Sequence, residues 1–360
     1  MKSPYPNSHP PSSGGTAAPP SPISHLPSPA AKGGPSSGGH AATLRVGVLG
    51  CSAFGRRAML PAMAEATGVN LSAVASRDPS KASAEAAQFG CPKACSYEEL
   101  VADPGIDAIY MPLPTGLHEE WVHKALDAGK HLLVEKSLAN DFESAKRMLE
   151  HAREARLLVL ENFLFPRHSQ LAWVKQQLAA GEIGSFKFFR AAFTIPPLDP
   201  DNFRYSVPLG GGGLLDVGAY MVKSSLAFLG NDLELLNATI EYDQSRGIDL
   251  RGTATFRNPA GQIAQTLWGF DTCYQCTWEF IGTEGRILCE RALTPPPGFE
   301  PPVRIERGNE KKDIKLPPDN HYLNQWGFFT AAIRNPDVIS GLLDEALDQA
   351  ALIAAVKNWR

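Results

Sequence analysis

Three short sets of residues in this chain are of types that can do chemistry. The first is Gly50-Cys51-Ser52-Ala53-Phe54-Gly55, placed between the apolar run Leu44–Leu49 and a helix-compatible run. In a Gly-x-Gly-x-x-Gly turn the first glycine permits the tight turn, the second lets the backbone approach a pyrophosphate, and the third lets helix and strand pack closely. Gly50 and Gly55 keep the outer two tasks. Ser52 replaces the middle glycine; it is small, and its hydroxyl can donate to a phosphate oxygen, while N–H groups at the helix start supply most of the attraction for an anion. The second set is Ser76-Arg77-Asp78, at the end of the next strand-like run. An NAD site usually carries an acidic residue at this tip for the ribose 2′-hydroxyl. A neutral serine followed by a guanidinium suits a 2′-phosphate instead, and the arginine can also lie flat on an adenine. A solvated loop arginine, with Asp78 as the ribose ligand, is the alternative. The third set is Asp216 and Tyr220, four apart in a helical run and therefore on one face. On spacing alone, this is equally a buried tyrosine whose hydroxyl finds a structural partner.

The elements that would position these residues follow a clear rhythm. Strand-like runs at Leu44–Leu49, Leu71–Ser76, Ile106–Met111, His131–Glu135 and Leu157–Glu161 alternate with helical runs at Arg56–Thr67, Ser80–Phe89, Glu119–Ala128 and Phe142–Ala155. That alternation predicts an α/β, doubly wound parallel sheet with right-handed crossovers. After Glu161 the rhythm changes. Helices at Arg167–Ala180 and Leu214–Leu229 surround a strand at Phe186–Thr194, and strands then follow in succession at Leu233–Tyr242, Leu250–Phe256, Gln262–Phe270, Thr277–Ile281 and Arg286–Glu290. This reads as an α+β domain on a large, mostly antiparallel open sheet, closed by helices at Asn320–Arg334 and Gly341–Trp359. The expected division is a dinucleotide-binding domain over residues 43–160 and a substrate-binding and oligomerisation domain over residues 161–360.

Residues 1–42 differ from the rest. Pro, Ser, Gly and Ala dominate, so the segment cannot bury enough apolar surface to offset its ordering entropy and is expected to be a disordered tail. It lacks the continuous apolar core of about 7–15 residues that a secretory signal needs. With a net charge of −4 and a pI near 6.2, the chain offers no broad basic surface for nucleic acid or an anionic membrane. No apolar run reaches the length of a spanning helix. Six cysteines, including Cys91 with Cys95 and Cys273 with Cys276, do not make the four-ligand pattern of a structural zinc. They are expected to be reduced thiols in a cytoplasmic protein, with no metal site.

The stretch Asp107–Ala139, with Pro114-Thr115, His118, Ala125-Leu126, Ala128-Gly129-Lys130-His131 and Glu135-Lys136, resembles the strand–loop–helix–strand block of the glucose–fructose oxidoreductase / inositol dehydrogenase family (Gfo/Idh/MocA). The resemblance covers about residues 44–335. It implies a Rossmann domain followed by an α/β domain on a large open sheet, and subunits that pair through that sheet as a homo-oligomer. Three positions depart from the usual pattern. Ser137 stands where the family has the proline of Glu-Lys-Pro, a bond that is commonly cis there. In the family's Asp-x-Gly-x-His-x-x-Asp, Asp216 is kept, Tyr220 takes the histidine position and Lys223 replaces the last aspartate. The tyrosine form resembles dihydrodiol and xylose dehydrogenases and the sugar C-3 ketoreductases of deoxysugar pathways. The stretches Leu160–Gln170, Ala191–Pro197, Arg204–Tyr220 and Asp319–Gln325 resemble the ketoreductases most.

This resemblance implies NADP(H) as cofactor, lying along Gly50, Cys51, Ser52, Ala53, Phe54, Ser76, Arg77, Lys81, Pro112, Leu113, Pro114, His118, Glu135 and Lys136. It implies hydride transfer to the C-3 ketone of a nucleotide-linked 4-keto-6-deoxyhexose. Tyr220 would donate the proton, Lys136 would stabilise the developing charge, and Asp216 would position the lysine or the sugar. Asn162, His168, Arg204, Asp216, Tyr220, Asn320, His321 and Tyr322 are the candidate substrate contacts, although His118 also suits a helix start. Two other readings stand beside this one: a tyrosine-type dehydrogenase of a free sugar or a trans-dihydrodiol, and a non-catalytic dinucleotide-binding regulator.

Overall fold

The structure, a computed structural model, describes residues 42–360. The tail expected over residues 1–42 lies, apart from Ala42, outside the described residues. The first half of the fold is built on β1 (Leu44–Leu49), β2 (Val69–Ala75), β3 (Ala94–Cys95), β4 (Ala108–Met111), β5 (His131–Val134) and β6 (Val159–Glu161). These six strands are parallel and run β3-β2-β1-β4-β5-β6 across the sheet. Strand order therefore reverses between β1 and β4, and in open α/β sheets ligands bind in the crevice at that switch point. The strands are near-continuous apolar runs because helices cover both faces: α1 (Leu60–Glu65), α2 (Pro79–Gln88), α3 (Tyr97–Ala102), α4 (His118–Asp127) and α5 (Phe142–Ala155).

The second half carries α6 (Ser169–Ala179), β7 (Phe186–Thr194), α7 (Ala219–Leu229), β8 (Glu234–Asp243), β9 (Ile248–Arg257), β10 (Ile263–Gly269), β11 (Gln275–Gly282), β12 (Gly285–Glu290), β13 (Pro302–Arg307) and β14 (Glu310–Lys315). Its eight-stranded sheet has the order β14-β13-β12-β11-β7-β10-β9-β8. Only β7 and β10 run parallel; the other pairs are antiparallel. The expected parallel and mostly antiparallel sheets are both present. The sequence reading did not anticipate β3, α3, β13 or β14. β14, Glu-Lys-Lys-Asp-Ile-Lys, has almost no apolar alternation to reveal it, and charges of this kind are what keep an edge strand from pairing with another chain.

The last two helices are α8 (His321–Ile333) and α9 (Pro336–Lys357). α9 begins five residues earlier than Gly341, because Asn335 caps it and Pro336 takes the first turn, where its missing N–H costs nothing. Both helices carry the chain back to the first sheet: Trp326, Phe329, Leu342 and Leu343 are buried in the same core as Val46, Met59 and Tyr110. The Trp326 indole N–H donates to the Met59 carbonyl at 2.9 Å. The second core gathers Phe189, Phe256, Trp268, Trp278 and Phe280 under α7. Among the described residues, no helix is long and apolar enough to cross a membrane, and no cluster of three metal-ligating side chains occurs. All six cysteines are free thiols.

Candidate active site

The turn after β1 shows what Ser52 does. Gly50 has φ +118°, a conformation that L side chains rarely adopt, so glycine is required there. The Ser52 Oγ accepts the Gly55 N–H at 2.8 Å, and the Ser52 carbonyl accepts the Arg56 N–H at 3.1 Å. Ser52 is thus the N-cap of the following helix, which opens with a π turn over Gly55–Met59 before α1. Beside it, the half-buried Cys51 thiol is pushed up to about 11 by burial, with Glu85 adding to the effect. It is an unreactive thiol.

At the tip of β2 the Ser76 Oγ accepts the Asp78 N–H at 3.1 Å. The Asp78 carboxylate is engaged as the cap of α2, accepting the Ser80 N–H at 2.9 Å and the Lys81 N–H at 3.4 Å. Arg77 and Lys81 are exposed. A cleft of about 600 Å³ opens here, lined by Ser76, Arg77, Ser83, Ser96, Tyr97 and Trp121 among others. Asp78 is thus committed to a helix cap, while Glu98, Glu99 and Glu120 also line the cleft. On the other side of the switch point, the Leu113 side chain of the Pro112-Leu113-Pro114 loop lies where a Cβ on Gly50 would have to go. His118 is fully buried: Nε2 lies 2.9 Å from the Leu113 carbonyl, and Nδ1 lies 3.0 and 3.1 Å from those of Leu138 and Ser137. Its ring therefore braces the cofactor loop from behind and neither caps α4 nor faces a ligand.

The chemistry-bearing cluster forms where the two halves meet. Lys136, just past β5, sends Nζ to the Asp216 Oδ1 at 2.6 Å and to the Asp216 carbonyl at 2.8 Å. Arg204 Nε donates to the other Asp216 oxygen at 2.7 Å. Burial would raise the Asp216 carboxyl, but the Lys136 and Arg204 cations hold it down to about 2. Asp216 lies in a π turn, Leu214–Gly218, that leads directly into α7; such turns occur frequently at functional sites. Tyr220 follows in α7, 8 % exposed, its ring centroid 5.3 Å from Lys136 Nζ. Phe163 and Phe193 meet it edge-on at 5.1 and 5.2 Å. Burial, reinforced by the carboxylates of Glu135 and Asp216, raises its hydroxyl well above the ordinary tyrosine value. The Lys136–Ser137 peptide is cis, as the proline bond of the resembled pattern commonly is.

Glu135 accepts from the Tyr110 hydroxyl and from Asn162 Nδ2, both at 2.7 Å, and burial raises its carboxyl. The structure thus brings Lys136, Tyr220, Asp216, Arg204, Glu135 and Asn162 together. His168 and His321 form a second, buried group, edge-on at 5.6 Å. His168 Nδ1 accepts the Gln170 N–H at 3.0 Å, while burial, with His168 adding, pushes His321 down to about 3. Tyr322 lies 6.1 Å from Phe54 of the cofactor turn. Asn320 caps α8 through the Leu323 N–H. Tyr110, Ser137, Glu161, Phe163 and Phe193 also shape the site and were not anticipated. Of these, Tyr110 carried a signal, a polar tip in an otherwise apolar buried strand, and Ser137 another, as the departure from Glu-Lys-Pro.

A parallel sheet with a glycine turn at its switch point, its Lys136 meeting Asp216 and Tyr220 of a second sheet domain, defines a dinucleotide-binding oxidoreductase. Residues 44–163 match the oxidoreductase family with an NAD-binding Rossmann fold, and residues 171–288 match the GFO/IDH/MocA C-terminal domain. The chain belongs to the Gfo/Idh/MocA family. It is 39 % identical over 88 % of its length, and 97 % of the relative's, to a dTDP-3,4-didehydro-2,6-dideoxy-alpha-D-glucose 3-reductase of Saccharopolyspora spinosa. It is 33 % identical over 70 % of its length, and 77 % of the relative's, to a D-xylose 1-dehydrogenase (NADP+) of Haloferax volcanii. A 3-ketoreductase from Actinomadura kijaniata, solved in complex with NADP and TDP-benzene, superposes with a TM-score of 0.85 at 36 % identity, covering 88 % of this chain and 97 % of that one.

Proposed function

We propose that this protein is an NADP(H)-dependent reductase of the C-3 ketone of a nucleotide-linked 4-keto-6-deoxyhexose. The observation that carries the reading is the Lys136 ammonium, anchored on Asp216 and set 5.3 Å from the ring of the buried Tyr220. Residues 43–160 hold the cofactor, with Gly50 to Phe54 under the pyrophosphate and Ser76, Arg77 and Lys81 at the 2′-phosphate. Residues 161–360 hold the sugar and the subunit contacts of a homo-oligomer. Reduced thiols suit a cytoplasmic setting.

When bound, the dinucleotide supplies the hydride that the carbonyl carbon takes up. Tyr220, neutral at working pH, donates its phenolic proton to the carbonyl oxygen. Lys136 lowers the barrier by stabilising the alkoxide as it develops and the tyrosinate left behind, in a site from which aromatic rings exclude water. Asp216 stays ionised, holds the lysine in place and, with Arg204, offers polar atoms to the sugar. In solved forms of the Actinomadura relative, one lysine and one tyrosine are the residues replaced, residue types that agree with this pair.

The xylose dehydrogenase relative favours one second reading, oxidation of a free sugar by the same cluster. Turnover of NADPH with a dTDP-linked 3,4-diketo-dideoxyhexose, against NADP+ with free aldoses, separates the two. Reduction of the first and indifference to the second is expected. The opposite result overturns the substrate class, and tight cofactor binding with no turnover of either overturns the enzyme.

A further inference from the structure

Lys136 reaches the site from an irregular segment between β5 and α5, and its own ion pair fixes only its tip. The backbone beneath it is tied at two points the chemistry above does not use. The buried Leu138 N–H donates to Glu161 Oε1 at 2.8 Å, from the end of the neighbouring strand β6. The Ser137 hydroxyl donates across to the Leu215 carbonyl at 2.8 Å, next to Asp216. Glu161 is 8 % exposed, and a buried carboxylate needs a counter-charge. Burial raises it, and the Lys223 ammonium pulls it back toward the ionised form. Lys223, one turn beyond Tyr220, lies 4.0 Å from the Glu345 carboxylate and 5.9 Å from the centre of the Phe163 ring that abuts Tyr220. Ser137, which departs from the family pattern, thus ties the turn that carries the lysine to the segment that carries Asp216.

We propose that Glu161 and Ser137 are positioning residues: together they pin the Lys136–Leu138 turn and so aim the ammonium at the reacting carbonyl. The inference rests on Lys136 being the catalytic cation. The bond from the Leu138 N–H to Glu161 depends on the reach of the acceptor oxygen, so it ties the turn to the end of β6. The loss of such support displaces the lysine without removing it, and a misplacement of about 1 Å far from the chemistry can cost about 10²-fold in rate.

The test compares two conservative substitutions with steady-state kinetics and thermal melting. Glu161→Gln keeps the reach of the acceptor and loses the charge; Glu161→Asp keeps the charge and withdraws the acceptor. Pinning through the hydrogen bond predicts kcat within about threefold of wild type for Gln and a fall of at least about tenfold for Asp, with the KM for NADPH unchanged in both. Ser137→Ala should show the same signature as Asp. Wild-type kcat in Glu161→Asp, or an equal fall in Glu161→Gln, overturns the proposal. Should neither Glu161 variant fold, Ser137→Ala decides it, and unchanged kcat there overturns it. Lys136→Ala is assayed alongside: activity surviving in that variant defeats the catalytic reading itself, whereas an inactive Lys136→Ala beside an active Glu161→Asp defeats only the positioning.

Discussion

In the proposed reaction Tyr220 and Lys136 divide one task between them. A tyrosine held neutral by burial and by neighbouring carboxylates keeps its proton across the working pH range, and a cation close to its ring makes the proton's departure affordable only when charge develops on the substrate. Tyr220→Phe is expected to leave NADPH binding intact, measured by fluorescence titration, and to lower kcat by at least about 10²-fold, the usual loss on removing a general acid. Near-normal turnover would exclude the role. At the far end of the cleft, Arg77 is the exposed cation beside Ser76. Arg77→Ala should weaken NADPH by at least about tenfold more than NADH, the cost of a charge-assisted contact; equal weakening of both would mean that the 2′-phosphate sits elsewhere. Residue types and spacing made these positions legible in the sequence. They did not reveal that His118 turns both ring nitrogens to backbone carbonyls or that Asn320 is spent on a helix cap, because a polar side chain near a motif looks the same whether it faces a ligand or the backbone.

The elements explain why the altered glycine motif still makes a turn. Ser52 exchanges the freedom of glycine for an N-cap, and the hydroxyl hydrogen remains available beyond the Gly55 bond. Ser52→Ala is expected to lower stability by about 1 kcal/mol, the usual value of an N-cap, in urea unfolding, with NADPH affinity changed only a few-fold. A loss of affinity without loss of stability would instead assign the hydroxyl to a phosphate. The helix after β1 and the helix that carries Asp216 and Tyr220 both include π turns near their starts, Gly55–Met59 and Leu214–Gly218. Sequence periodicity predicted helices over both stretches and could not distinguish a π turn from an α turn, since the apolar spacing differs by less than a residue per turn. The five strands of the first sheet other than β3 were legible because they are mostly apolar. β14 was not, because it is an edge strand dominated by charge, and β13 alternates charged with apolar residues behind a run of prolines.

At the scale of the whole molecule, the two sheets are held as one unit by the return of α8 and α9 to the first core and by the ion pair between them. Lys136 and Asp216 are 80 residues apart in the chain. Because Asp216 falls from an ordinary 3.8 to about 2 on folding, its contribution to stability, on the order of 2 kcal/mol, is fully present above its unfolded value. That contribution is lost as pH falls through the folded one. Unfolding free energies should therefore decline between about pH 4 and pH 2, and the gap between wild type and Asp216→Asn should close over the same window; a gap independent of pH would show that the pair contributes through packing alone. The alternating doubly wound sheet, the cofactor turn and the second sheet were determined by the sequence itself, because each depends on patterns that repeat within a few residues. Only the tertiary structure decided that Arg204 shares Asp216 with Lys136, that Glu161 and Ser137 hold the turn beneath the lysine, and that Trp326 closes the first core. Those pairings join residues far apart in the chain, and no local pattern of polarity or spacing encodes which distant partner a buried charge or an aromatic ring will meet.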